Sequence, residues 1–156
     1  MFGALTMWYN IAMIRIIAGG KKNVGWCAEA CAEYEKRMRK PWDITWEFLE
    51  EEKLARRLEN WPFDHMREFV ICCDERGENI SSREYSEKIW RALSNGKDVV
   101  ILIGGAYGFE QTVREKADFV WGFSRLVFPH MIARLVAVEQ TYRAAEIIKG
   151  SSYHHE

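Results

Sequence analysis

The sequence predicts an α/β fold, a mainly parallel sheet with helices on both faces. Three observations predict it. Short apolar runs alternate with helix-spaced segments almost throughout the 156 residues, as in chains of strand–helix–strand units. The strongest runs, "FVICC" and "DVVILIGG", are continuously apolar, as strands covered on both faces are. Glycine, proline and capping residues fall where elements should start and stop.

The elements follow in order. Met13–Ala18 reads as a buried strand that breaks at Gly19-Gly20. Val24–Arg39 reads as a helix with Cys27, Cys31, Tyr34 and Met38 on one stripe, stopped by Pro41. In "DITWEFLE", Ile44, Trp46 and Phe48 alternate as on a strand. Glu51–Asn60 is a charged helix, interrupted at Trp61-Pro62, and the path onward to Phe69 is open. Phe69–Cys73 is a strand and "DERGEN" a loop. Ser81-x-x-Glu84 has capping-box spacing and opens a helix through Leu93. After the strand "DVVILIGG" come a helix over Phe109–Ala117, one or two short strands within Phe119–Phe128, and a long helix over Met131–Lys149. The last carries Leu135, Val138, Tyr142 and Ala145 on one stripe and ends at Gly150.

Composition narrows the function. One domain is expected over residues 13–156, with residues 1–12 an N-terminal extension or the product of an upstream start codon. That extension has no positive segment before its apolar part and is a poor signal peptide. No apolar run approaches the ~20 residues that span a bilayer. Net charge is −1, without the basic excess of a free-standing nucleic-acid binder, so any such role needs a local patch or a target held by other proteins. The four cysteines lack CxxC spacing and read as reduced core thiols of a cytoplasmic protein. Seven tryptophans suggest a sticky surface or an oligomer.

Ligands of parallel sheets sit beyond the carboxyl ends of the strands. That singles out Cys73–Gly77, Gly104–Gly108 and the stretch before Pro129. The turn Gly104-Gly105-Ala106-Tyr107-Gly108 lacks the Lys-Ser/Thr of a triphosphate loop. Its spacing fits a tight packing turn as well as a ligand site. "SRLVFPH" leads through Pro129 to His130 at a helix start, where a neutral imidazole is favoured. Arg134 and Arg143, nine residues apart, are expected to share roughly one side of the last helix, as a solvated face or as holders of phosphate or a polar base. The tail "YHHE" offers two adjacent histidines and no second cluster, so no metal site is expected.

Together these segments resemble one family. "DVVILIGGAYGF" followed by "SRLVFPHMIARLVAVEQTYRAAEIIKGSSYH" resembles the RlmH family, SPOUT-class methyltransferases that act on N3 of a pseudouridine in large-subunit ribosomal RNA. The resemblance runs from Met13 to the C-terminus and is poor over 50–67. It implies a SPOUT fold with a C-terminal trefoil knot, and S-adenosylmethionine as methyl donor. It also implies a homodimer in which each active site takes the partner's tail, working on RNA within the ribosome or large subunit. For the donor it implies Cys73, Gly105, and Ser124, Arg125, Leu126, Val127, Phe128 and Pro129. For the reaction it implies His130, Arg134, Arg143, Tyr153 and His154, the first and third to position and stabilise charge, the last two to hold the target base. Where the family carries Lys or Arg after Tyr-His, this chain has His155, which is mostly neutral at pH 7 when unperturbed. That departure leaves an alternative, a dimeric module that binds an adenosyl ligand or the ribosome without methyl transfer.

Overall fold

The computed structural model describes residues 12–155. The expectations for residues 1–11 and for Glu156 lie outside them. Ala12 is buried at the head of the first strand, so packing begins one residue before the boundary expected at 13.

Five strands form one parallel sheet in the order β2-β1-β4-β3-β5. They are β1 (Ile14–Gly19), β2 (Ile44–Leu49), β3 (Glu68–Glu78), β4 (Asp98–Ile103) and β5 (Phe119–Trp121). Five helices alternate with them: α1 (Gly25–Glu35), α2 (Glu51–Glu59), α3 (Ser82–Ser94), α4 (Gln111–Lys116) and α5 (His130–Lys149). Successive strand side chains point to opposite faces, and the two cores follow that parity. Ile14, Ile16, Ile71, Val99 and Ile101 pack with α1, α3 and α5. Ile17, Val70, Cys72, Val100 and Leu102 pack with α2 and α4. Both faces are therefore covered, which is why the central strands are continuously apolar.

The helices begin and end for legible reasons. At α3 the capping box is complete: Ser81 Oγ accepts from the Glu84 N–H at 3.2 Å, and Glu84 Oε2 accepts from the Ser81 N–H at 2.7 Å. α2 faces the sheet with Leu54 and Leu58, each worth about 1.5–3 kcal/mol when buried. α1 ends at Glu35, four residues before the expected Arg39. Met38 still reaches the core, from the turn that follows. α4 starts two residues late because Phe109 leaves the helix frame to fill the α2–α4 core. Between α2 and β3 the chain has no regular element. Phe63 is buried there at φ 46°, and Trp61 donates its indole N–H to Glu68 at 2.8 Å.

β3 differs from expectation. It does not stop at Cys73 but runs to Glu78, and both Cys73 and Glu78 register against Trp121 of β5. The charged run 74–77 is thus an irregular stretch inside an extended strand. Glu75 and Arg76 are exposed while Asp74 turns inward, and a run this rich in charge and glycine reads as a loop.

Gly77 explains how the extension lies so close to β5. A Cβ there would meet Gly122 N and Val120 O at 2.6 Å and the Trp121 carbonyl carbon at 2.7 Å, all backbone atoms. No side chain can swing away to relieve this, so a strand must move. Gly77→Ala is expected to destabilise the fold by about 2–3 kcal/mol, lowering the thermal midpoint by about 5–10 °C. A midpoint equal to wild type in a thermal melt would show that the approach is not tight.

Candidate active site at the carboxyl ends of the strands

Three chain segments, one within the extended β3 and one beyond each of β4 and β5, enclose a cleft of about 720 Å³. Cys73 to Arg76 form one wall, Gly104 to Gly108 the floor, and Phe123 to His130 the other wall. Of the donor residues expected from sequence, Cys73, Gly105, Ser124, Leu126, Val127, Phe128 and Pro129 line it. Arg125 does not; it is exposed outside the lining. Trp121 also lines the cleft and was not picked out from sequence; Asp74 and Tyr107 line it too, inside segments the sequence singled out without naming them as site residues. The alternation of apolar β5 residues was the only signal for Trp121. Asp74 was hidden in a run that read as solvated loop.

The walls are braced by polar groups. Ser124 Oγ accepts from the Leu126 N–H at 2.9 Å, which folds the 124–126 turn on itself. The Asp74 side chain is almost fully buried; it accepts from the Arg76 N–H at 2.9 Å and lies 3.6 Å from Arg114 of α4. That ion pair ties the β3 wall to the helix behind the glycine turn. The Cys73 thiol is held well above its ordinary pKa, first by burial and then by Cys72 and Asp74. It is a neutral wall group and not a nucleophile. The rim is apolar and open: Tyr107, Leu126 and Val127 are all strongly exposed. A volume of this size, apolar walls and bare backbone at the floor suit a small organic ligand read by main-chain groups.

α5 divides the expected catalytic residues. His130 is its first residue, exposed at the cleft. Arg143, Tyr153 and His154 gather elsewhere, around Glu139. Glu139 Oε1 accepts from Arg143 Nη2 at 2.6 Å, Arg143 Nε at 3.0 Å and the Tyr153 hydroxyl at 3.1 Å. The Glu139 bond is the main reason the Arg143 pKa is raised, so its charge is secure. Burial is the first cause, and Glu139 the second, that raises the Tyr153 pKa, so its hydroxyl remains a donor. Arg143 Nη1 lies 3.4 Å from His154 Nδ1. A guanidinium can only donate, so Nδ1 is the acceptor and the ring proton sits on Nε2. Glu139 was missed as a functional residue, although its i, i+4 spacing to Arg143 is a signal of pairing. His130 and Arg143 are about 20 Å apart along the helix axis. Within one chain they cannot serve the same atom.

Arg134 is corrected more sharply. It is fully buried and not on a solvated face. Its Nη2 donates to Gly19 O at 2.8 Å, and its Nη1 donates to Lys21 O and Asn23 Oδ1, each at 2.9 Å. The guanidinium also lies over the Phe48 ring, 5.3 Å from its centroid. Burial lowers its pKa, and its Nε has no hydrogen-bond partner among the described residues. Nor do Arg134 and Arg143 share a side: at about 100° per residue, nine steps make two and a half turns. Arg134 fixes the end of β1 and touches no cleft atom in this arrangement.

Comparison with known proteins bears on this site. A family model described as "Predicted SPOUT methyltransferase" matches residues 12–154. The chain is 33% identical over 158 residues to the ribosomal RNA large subunit methyltransferase H of Caldicellulosiruptor bescii, covering 91% of this chain and 99% of that one. It is 31% identical over 157 residues to the protein of the same name from Methylobacillus flagellatus, covering 92% and 99%. It is 34% identical over 149 residues to that from Cytophaga hutchinsonii, covering 87% and 95%. Among solved structures, a probable methylase family protein from Haemophilus influenzae Rd KW20 superposes with a TM-score of 0.54 at 12% identity, covering 93% of this chain and 71% of that one. At that identity the likeness speaks for the fold alone.

Proposed function

This chain belongs to the SPOUT methyltransferase family, and from that premise we propose that it methylates N3 of a pseudouridine in large-subunit ribosomal RNA. The donor in this reading is S-adenosylmethionine, bound in the cleft; the working form is a cytoplasmic homodimer acting on the assembled ribosome or large subunit. The C-terminal trefoil knot belongs to the same reading.

The observation that carries it is the convergence of three separate segments, from within β3 and beyond β4 and β5, on one cleft. Main-chain groups of the glycine turn and of Leu126–Phe128 are available there to read an adenine, with Trp121 and the apolar wall to cover its faces. S-adenosylmethionine supplies an electrophilic methyl group when bound. The chain's residues have the remaining tasks: to hold the target base in line with that methyl group, exclude water, and assist loss of the N3 proton. His130 stands at the cleft mouth. Arg143, kept charged by Glu139, stabilises the negative charge that develops on the base. Tyr153, its hydroxyl held by Glu139, and His154 hold the target base.

The separation along α5 supports the homodimer of this reading. A complete site needs both ends of that helix, and a partner's tail can supply the second. Val24 and Trp26, exposed at the start of α1, give the chain an apolar surface suited to a partner. Among the described residues no helix is long and apolar enough to cross a membrane.

A labelled-methyl assay on ribosomes lacking the modification, run beside free ribosomal RNA, tests the reading. Transfer to the assembled particle and not to free RNA is expected. Donor binding with transfer to neither would favour the non-catalytic module.

A further inference from the structure

We infer that Glu51, on the far face of the sheet, is a positioning residue that sets the glycine turn of the donor cleft, and that position 105 is glycine to admit its carboxylate. The inference rests on the cleft being the methyl-donor site. Gly104, Gly105 and Gly108 line two cavities at once: the donor cleft, and a smaller groove between α2 and α4 floored by Leu54, Leu58 and Val113. The turn is thus a wall one chain thick. Glu51 opens α2 directly behind it.

Two observations join Glu51 to that wall. Its Oε1 accepts a hydrogen bond from the Ala106 N–H at 3.1 Å. A Cβ at Gly105 would run into the Glu51 carboxylate before any other group, with Cδ at 2.6 Å and Cγ at 3.0 Å. The nearest obstacles to a side chain at 105 are thus atoms of Glu51. An amide fixed from behind cannot turn toward the cleft, so the Glu51 bond decides which main-chain groups of the turn face the donor. The spacing of the turn fitted a tight packing turn as well as a ligand site; the missing Cβ at Gly105 makes room on the side of Glu51.

The colliding atoms end a flexible side chain, so Gly105→Ala displaces the carboxylate and need not move the backbone. Its effect should therefore be loss of the Glu51–Ala106 bond and little else. This predicts strong non-additivity between the two positions. S-adenosylmethionine affinity, measured by calorimetry on the full chain, is expected to fall about tenfold in Glu51→Ala and about tenfold in Gly105→Ala. The double variant should also lose about tenfold, not about a hundredfold. Glu51→Gln keeps an oxygen acceptor and should stay within about threefold of wild type, whereas Glu51→Met, which fills the groove without an acceptor, should lose about tenfold. Additive losses in the double variant would overturn the inference, as would wild-type affinity in Glu51→Ala. If the wild-type chain binds no S-adenosylmethionine, the donor assignment fails, and with it the role in donor binding. The same four chains' unfolding midpoints then separately decide the steric pairing of the two residues, which additive midpoint losses would refute.

Discussion

Arg143→Ala is expected to lower methyl transfer to the ribosomal substrate by about 100- to 1,000-fold, the cost of removing one donor aimed at developing charge. Donor affinity should change less than about twofold, because the walls of the cleft hold the donor and Arg143 acts on the target base. Stability should change little as well. The Glu139–Arg143 pair is partly exposed, and i, i+4 pairs of that kind contribute about 0.3–0.5 kcal/mol. Arg143→Lys should recover only part of the transfer, since an ammonium keeps the charge but not the two-pronged hold on Glu139. Transfer assays at saturating donor, beside calorimetric donor binding, separate these effects. Undiminished transfer in Arg143→Ala would remove the residue from the mechanism. Mixing that variant with a chain disabled at the cleft offers a further check. If each site uses the partner's tail, heterodimers should regain one working site of two.

Arg134→Ala should act the opposite way, through folding. The substitution leaves Gly19 O, Lys21 O and Asn23 Oδ1 without their buried donor and opens a cavity against Phe48. Each unsatisfied group costs about 1–3 kcal/mol, and relief of the buried charge offsets part of the sum. A net loss of about 3–4 kcal/mol is expected, which lowers the thermal midpoint by about 6–16 °C for a domain of this size. Arg134→Met fills the space without the donors and should fall between. Denaturant titration measures the loss directly. A variant that melts like wild type yet transfers no methyl group would return Arg134 to the reacting centre.

These two arginines also mark the boundary of what could be read in advance. Both are long cations of one helix. Local sequence gives the pitch of the helix but not what stands opposite each turn. Arg134 is buried because the carbonyl end of β1, more than 100 residues earlier, presents three oxygens there. Arg143 stays accessible because only Glu139 and the returning tail meet it. Asp74 and Glu51 were unreadable for the same reason. Each looks like a solvated charge until Arg114 or the Ala106 amide is brought to it by the fold.

The element order, the two-faced parallel sheet and the gathering of 73–77, 104–108 and the stretch before Pro129 were readable in the chain. Those features rest on short-range physics: apolar periodicity, capping at Ser81, and glycine or proline where strands and helices stop. Only the tertiary structure decided that β3 continues through a charged bulge to pack Gly77 against Gly122. It likewise decided that one expected catalytic arginine is a buried brace, that the remaining residues divide between the two ends of α5, and that the glycine turn is held from behind. Each of these depends on which distant backbone group a side chain meets, and such encounters are fixed by long-range packing, which leaves no periodic trace in the chain.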